Sequence, residues 1–155
     1  MSANQARSST PSAPGFSLPI RVYWEDTDAG GVVYHAAYLC FMERARTEWL
    51  RALGVEQQAW REREDWVFVV RDMQLDFLAP ARLDDLLHVE VRLVQTTRAS
   101  LVFSQRVVRE ADGRVLLEAR IRVACISAST FRPCGVPPVL REQFQRFLSP
   151  DCEEV

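Results

Sequence analysis

The sequence contains no lysine; all 19 of its Lys and Arg positions are arginine. A lysine Schiff base and a lysine-anchored phosphate loop are therefore excluded. Histidine occurs only as His35 and His88. The four cysteines, Cys40, Cys125, Cys134 and Cys152, include no C-x-x-C pair. With so few nitrogen ligands beside them, no metal site and no cofactor are expected. They read as free thiols of a reducing compartment, which points to the cytoplasm. The N-terminal stretch has no apolar core of signal-peptide type, and no run is long enough to span a bilayer. A formal charge of −2 offers no general attraction for nucleic acid or an acidic membrane.

What is present suits one globular domain. At 155 residues and 48% hydrophobic, the chain can bury a sizeable single core. Residues 1–15, rich in Ser, Ala and Pro, are expected to be disordered, the domain to occupy 16–148, and 149–155 to form a tail. From Phe16 to Trp24, Leu18, Ile20, Val22 and Trp24 alternate onto one face, which predicts a strand.

Between Val33 and Leu53 apolar residues recur at spacings of three and four: Tyr38, Phe41, Met42, Ala45, Trp49, Leu50 and Leu53. Charged residues fill the other side, so a long amphipathic helix is predicted, stopped by Gly54. A shorter helix is expected over Glu56–Glu64. Four segments then alternate with period two: Val67, Val69, Met73, Leu75, Phe77; Leu87, Val89, Val91, Leu93; a looser run over Ser100–Arg109; and Val115 through Cys125. Asp112-Gly113 predicts a two-residue hairpin between the last two. A final short helix over Val139–Leu148 has Leu140, Phe144 and Leu148 in line, for packing on its own domain or, alternatively, for a partner or membrane surface. One strand, one long helix and four strands with short connections define an α+β domain whose curved antiparallel sheet wraps the helix. A homo-oligomer, dimer or tetramer, is expected to cover the remaining edges and outer face.

The stretch Glu25–His35, E-D-T-D-A-G-G-V-V-Y-H, puts three carboxylates and a glycine pair just ahead of the long helix. A helix N-terminus presents unpaired N–H groups and a positive dipole end, suited to an oxygen gaining negative charge. On residue type alone, Asp28 is either a capping or Asx-turn residue or a carboxylate aimed at a substrate on that terminus. Gly30 and Gly31 permit a tight turn and a close approach. Glu25 and Asp26 are assigned to turn structure. Cys40 follows His35 by five residues, off the i+3/i+4 face, and is not read as a nucleophile.

The run Arg21–Leu50 resembles the hotdog-fold acyl-CoA thioesterases, through D-T-D-x-x-G-V-V-Y-H followed by Y-x-x-F-x-E-x-A-R. More narrowly it is similar to the 4-hydroxybenzoyl-CoA thioesterase type and its YbgC group, associated with the Tol–Pal system. The likeness continues through the turn Asp76–Ala81 and the later strands. It implies a hotdog fold, a homo-oligomer, and hydrolysis of acyl-CoA to a carboxylic acid and coenzyme A. It further implies Asp28 as base or nucleophile, and His35, in the first turn of the central helix, as a catalytic or orienting residue. Tyr23, Gly31, Val32, Val33 and Tyr34 are implied to bind the substrate. Coenzyme A phosphates call for arginine, and the family's turn near the nucleotide corresponds to Thr96–Ser100, which singles out Arg98 and Ser100. Relatives often carry a second tyrosine where this chain has Trp24. Acyl carrier protein is a further candidate partner. Two other readings stand beside this one. A non-catalytic acyl-CoA or acyl-carrier-protein binding module would not need Asp28. A hotdog hydratase or dehydratase would need D-x-x-x-x-H, whereas six residues separate Asp28 from His35.

Overall fold

The computed structural model describes residues 15–148. The expected tails lie outside the described residues, Gly15 excepted, and Cys152 lies with them. The order is β1 (Phe16–Arg21), a single 3-10 turn (Trp24–Asp26), α1 (Ala37–Ala52), α2 (Gln57–Glu64), β2 (Trp66–Phe77), β3 (Leu86–Thr96), β4 (Ser100–Arg109), β5 (Val115–Ser127) and α3 (Pro138–Gln145). The strands form one sheet in the order β1-β3-β4-β5-β2 with every neighbouring pair antiparallel.

The helix spacing explains the core. Tyr38, Phe41, Met42, Ala45, Trp49 and Leu50, all on one stripe of α1, are buried against Val89, Val91, Leu93, Phe103, Val107, Leu117 and Ile121 of the sheet. Trp49 meets Phe103 edge-on at 5.3 Å and stacks on Phe144 of α3 at 5.7 Å between ring centroids. The last helix therefore packs on its own domain, with Leu140 and Phe144 buried.

Period-two alternation hides three bulges. In β2 the pairing with β5 shifts between Val70 and Asp72, so Arg71 is an extra residue. Each bulge reverses the facing of the residues beyond it. Trp66 and Phe68 therefore join Met73 and Leu75 on the core side, whereas Val67 and Val69, expected there, do not. Similar shifts fall between Leu93 and Gln95 of β3 and between Val107 and Val108 of β4.

The Asp112-Gly113 turn is also longer than predicted. The strands end at Arg109 and resume at Val115, and only Gly113 of the pair has positive φ. A two-residue type I′ turn needs both positive. Instead both carboxylate oxygens of Asp112 grip the Arg109 guanidinium, at 3.1 and 2.8 Å, which holds the wider loop.

Candidate active site

The chain leaves β1 at Val22, whose N–H donates to the Asp85 carbonyl (2.9 Å) and whose carbonyl accepts from Asp84 (3.1 Å). Those bonds anchor the acidic loop to the start of β3. The chain then turns at once, since Asp26 N–H donates to the Tyr23 carbonyl and Asp26 Oδ2 accepts the Tyr23 N–H at 2.8 Å. Asp26 is a turn residue, as assigned from the sequence. The early turn also takes Trp24 off the apolar face predicted for it and leaves it 80% exposed.

Thr27 and Val33 then form an isolated antiparallel bridge, closed by Asp28 N–H to the Val32 carbonyl (3.0 Å) and Tyr34 N–H to the Asp26 carbonyl (2.8 Å). Gly31 completes the reversal at φ +76°, a region that costs an L side chain about 1–2 kcal/mol. Asp28 Oδ1 accepts the Gly30 N–H at 2.8 Å, so the Asx turn foreseen as one alternative is formed. The carboxylate itself stays exposed, and among the described residues its second oxygen makes no hydrogen bond.

His35 is not in the first turn of α1. The bridge spends the N–H of Tyr34 on Asp26 and that of Val33 on the Ala81 carbonyl (2.9 Å), so helical bonding begins only beyond them. The N-cap is Ala36, and His35 sits in the turn before it, its ring beside that of Tyr34 at 4.4 Å. Among the described residues the amides of Val32, His35 and Ala36 have no intramolecular partner. Two of these stand just ahead of the positive end of α1.

A cleft of 310 Å³ opens against this segment, lined by Val32, Val33, His35, Tyr38 and the stretch Phe77–Pro80. Three of the sequence candidates, Val32, Val33 and His35, line it. Asp28, Gly31 and Tyr34 belong to the same loop but not to its wall. Tyr23, 62% exposed, faces a separate hollow with Trp24, Glu25, Leu83 and Asp84. Sequence reasoning placed Tyr38 in the core and missed its second task. Its buried hydroxyl accepts the Ala81 N–H (3.0 Å), while the Ala81 carbonyl accepts from Val33. Ala81 thereby staples the cleft wall to both helix and loop. A tyrosine on a core-facing stripe was the available signal, since a buried phenol needs a partner. Burial pushes the Tyr38 pKa above its usual value, so it stays a neutral hydroxyl.

Arg98 and Ser100 are elsewhere. They flank the β3–β4 turn, where Ser100 Oγ and Thr97 Oγ1 lie 2.7 Å apart and the Arg98 carbonyl accepts from Val136 (2.8 Å). The acidic loop is tied to the opposite end of β3, about 35 Å away along the strand at its usual rise. A single chain therefore does not bring the two groups together. A larger groove of 440 Å³ crosses the outer face of the sheet between Glu90, Arg92, Arg106, Glu118 and Arg120. Arg106 there is paired with Glu90 at 2.7 Å, and none of the residues lining this groove lines the cleft. His88 lies on the polar face, 3.2 Å from Glu110. Among the described residues no three His, Cys, Asp or Glu side chains converge as a metal site, and no helix is long and apolar enough to cross a membrane.

An antiparallel sheet curved around one central helix is the hotdog fold. The chain belongs to the Thioesterase-like superfamily, whose family model matches residues 22–144. It is 45% identical over 130 residues to the acyl-CoA thioesterase YbgC of Haemophilus influenzae, covering 84% of this chain and 94% of that protein. It is 46% identical over 131 residues to the acyl-CoA thioester hydrolase YbgC of Escherichia coli, covering 84% and 96%. Among solved structures, a probable thioesterase from Bartonella henselae superposes with a TM-score of 0.75 at 35% identity, over 80% of this chain and all of that one.

Proposed function

We propose that this protein hydrolyses acyl-CoA thioesters to a carboxylic acid and coenzyme A, with Asp28 as general base or nucleophile. The observation that carries the reading is the bridge between Thr27 and Val33, which folds the Asp28 loop onto the start of α1 beside the unpartnered His35 and Ala36 amides. Charge builds on the thioester oxygen as the carbonyl is attacked. Backbone donors at a positive helix end meet that charge, and one such donor is worth about 2.7–4 kcal/mol of barrier. The thiolate leaves without strong acid assistance, so no second acid is required. His35, on the cleft wall, orients the substrate, and Val32 and Val33 contact its acyl group. Gly31 shapes the turn. Tyr23 and Tyr34, outside the cleft wall, reach the substrate only from the loop's exposed side.

The Arg98 and Ser100 turn binds the nucleotide of coenzyme A in this reading, and a second copy of the chain closes the gap to Asp28. The edge strand β1 is short and carries Pro19, which blunts pairing. The other edge, β2, has 12 residues, no proline, and exposed apolar side chains at Val70, Phe77 and, just beyond, Leu78. It runs from the Arg98 end of the sheet, where Trp66 pairs with Ser127, to the Asp28 end, where Phe77 pairs with Leu117. Antiparallel pairing of β2 with its copy brings each Arg98 turn to the same end of the joined sheet as the other chain's cleft, whose Phe77 wall is three strand spacings, roughly 14 Å, from β4. A cytoplasmic location fits this substrate and its reduced cysteines.

Thiol release from short, long and aromatic acyl-CoAs, and from acyl carrier protein thioesters, tests the reading. Asp28→Asn is expected to lower turnover about 10²–10⁴-fold with the fold and coenzyme A binding intact. Binding without release by the wild type would identify a binding module instead. Equal turnover by both proteins would remove Asp28 from the chemistry, and a monomer in sedimentation at assay concentration would remove the two-chain site.

A further inference from the structure

Cys125 and Cys134 are paired in space although eight residues lie between them. Cys125 ends the core-facing row of β5 and is wholly buried; Cys134 lies in the segment that doubles back beside it and is partly exposed. Ile126 and Pro133 form an antiparallel bridge, and Cys134 N–H donates to the Cys125 carbonyl at 3.0 Å, so the two cysteines stand opposite one another. Opposed residues of an antiparallel pair have Cα atoms about 4.5–5.5 Å apart, within the span a disulfide requires. Their sulfurs are 3.4 Å apart. The same segment holds the Arg98 turn from both sides: Cys125 N–H donates to the Ala99 carbonyl (2.8 Å), Val136 N–H to that of Arg98 (2.8 Å), and Gly135 packs under the Arg98 side chain.

We infer that Cys125 and Cys134 form a reversible oxidation site, closing to a disulfide under a hydroperoxide and thereby acting on the Arg98 turn. Cys134, the accessible sulfur, attacks the peroxide oxygen, giving a sulfenic acid and water or an alcohol. Cys125 then attacks the Cys134 sulfur, forming the S–S bond and releasing a second water. In sum two thiols lose two hydrogens and one peroxide is reduced. Burial pushes the Cys125 thiol up to about 12, which leaves the more accessible Cys134 to make the first attack. Shortening the sulfur separation draws the 133–136 segment toward β5, and the backbone bonds carry that movement to Arg98 and Ala99. The functional consequence rests on the reading of that turn as the coenzyme A site.

The full-length protein is titrated with hydrogen peroxide, alkylated and digested with trypsin. Because Arg132 precedes Pro133, both cysteines stay in one peptide, Val123–Arg141. The expected product is that peptide with two hydrogens lost and no alkyl group, restored by dithiothreitol and abolished in Cys134→Ser and in Cys125→Ser. Hydrogen exchange at the Cys125 and Val136 amides is expected to change at least threefold in the oxidised wild type and not in peroxide-treated Cys134→Ser. Oxidation of exposed Cys40 with both alkyl groups retained on Val123–Arg141, or Cys134 passing to a sulfinic acid with no cross-link, would overturn the inference. So would a disulfide that leaves both amides unchanged. Coenzyme A affinity is measured alongside. If Arg98→Ala leaves that affinity unchanged, the nucleotide-site reading fails while the oxidation site stands or falls on the peptide and exchange data.

Discussion

Arg46 is buried to 7% exposure within the core, and its head group donates to Gln105 Oε1 at 2.9 Å. Gln105, 1% exposed, in turn donates through Nε2 to the Met42 carbonyl at 3.2 Å. Among the described residues no carboxylate lies within ion-pair distance of Arg46, and burial pulls its pKa down while Glu43 opposes the shift. The amide of Gln105 is thus what makes a buried guanidinium tolerable. Gln105→Leu removes a charge-assisted bond of about 1.5–3 kcal/mol and a neutral one of about 0.5–1.5 kcal/mol. Added leucine contacts offset part of that, leaving a loss of about 2–4 kcal/mol. Arg46→Met removes the charge and strands only the amide oxygen, for about 1–2 kcal/mol. The double variant replaces both by apolar groups of similar length and should sit close to wild type, within about 1–2 kcal/mol. The assay is urea unfolding of all four proteins at one protein concentration, since association adds to apparent stability. The cycle should show a favourable coupling of about 2 kcal/mol or more. A double variant as unstable as the sum of the singles would refute the argument, because each residue would then contribute independently of the other.

Three further outcomes follow from the site and its surroundings. A Cβ on Gly30 would stand 3.0 Å from Asp28 Oδ1, so Gly30→Ala must displace that carboxylate. Turnover should fall about 10-fold or more, as expected for a small misplacement of a reacting group, while the melting temperature stays near wild type; unchanged kcat would show that the observed Asp28 rotamer is irrelevant. Tyr38→Phe leaves the buried Ala81 N–H without its partner, at about 1–3 kcal/mol, and loosens the wall of the cleft. Urea unfolding checks the first effect and a raised KM for acyl-CoA the second. Arg109 and the Arg114 amide hold the Asp112 carboxyl down at about 2. Because this lies below the value of about 3.9 in the unfolded chain, the stabilisation is complete above that value and is lost as pH falls toward 2. Carboxyl-carbon NMR should find Asp112 titrating near pH 2 in the wild type and moving up in Arg109→Gln.

The helices were legible because their evidence is local. The stripe Tyr38–Leu50 specifies an amphipathic helix whatever it packs against, and Gly54 ends it with φ +81°. The strands themselves were legible for the same reason, since alternation marks each one, but their order in the sheet was not: β2 and β3, joined by a short connection, sit apart, β2 beside β5 and β3 between β1 and β4. Facing along a strand was not. Nothing in V-F-V-V-R-D-M announces that Arg71 is an extra residue, because a bulge is decided by the partner strand. The start of α1 was misplaced by the same kind of error: Val33 and Tyr34 fit the helical pattern, but their N–H groups are claimed by Ala81 and Asp26. Those acceptors lie 48 residues ahead and eight behind.

The sequence alone determined what depends on neighbours along the chain: an apolar helix face, five alternating strands, and a carboxylate loop with a glycine that tolerates positive φ. Tertiary structure decided what depends on groups distant in sequence. It set Arg98 at the far end of β3 from Asp28, placed Cys134 opposite Cys125, and made the Tyr38 hydroxyl a fixture of the cleft wall. These facts come from which strands become neighbours and in what register. Many side chains contribute small amounts of burial energy to that choice, and no short motif records it.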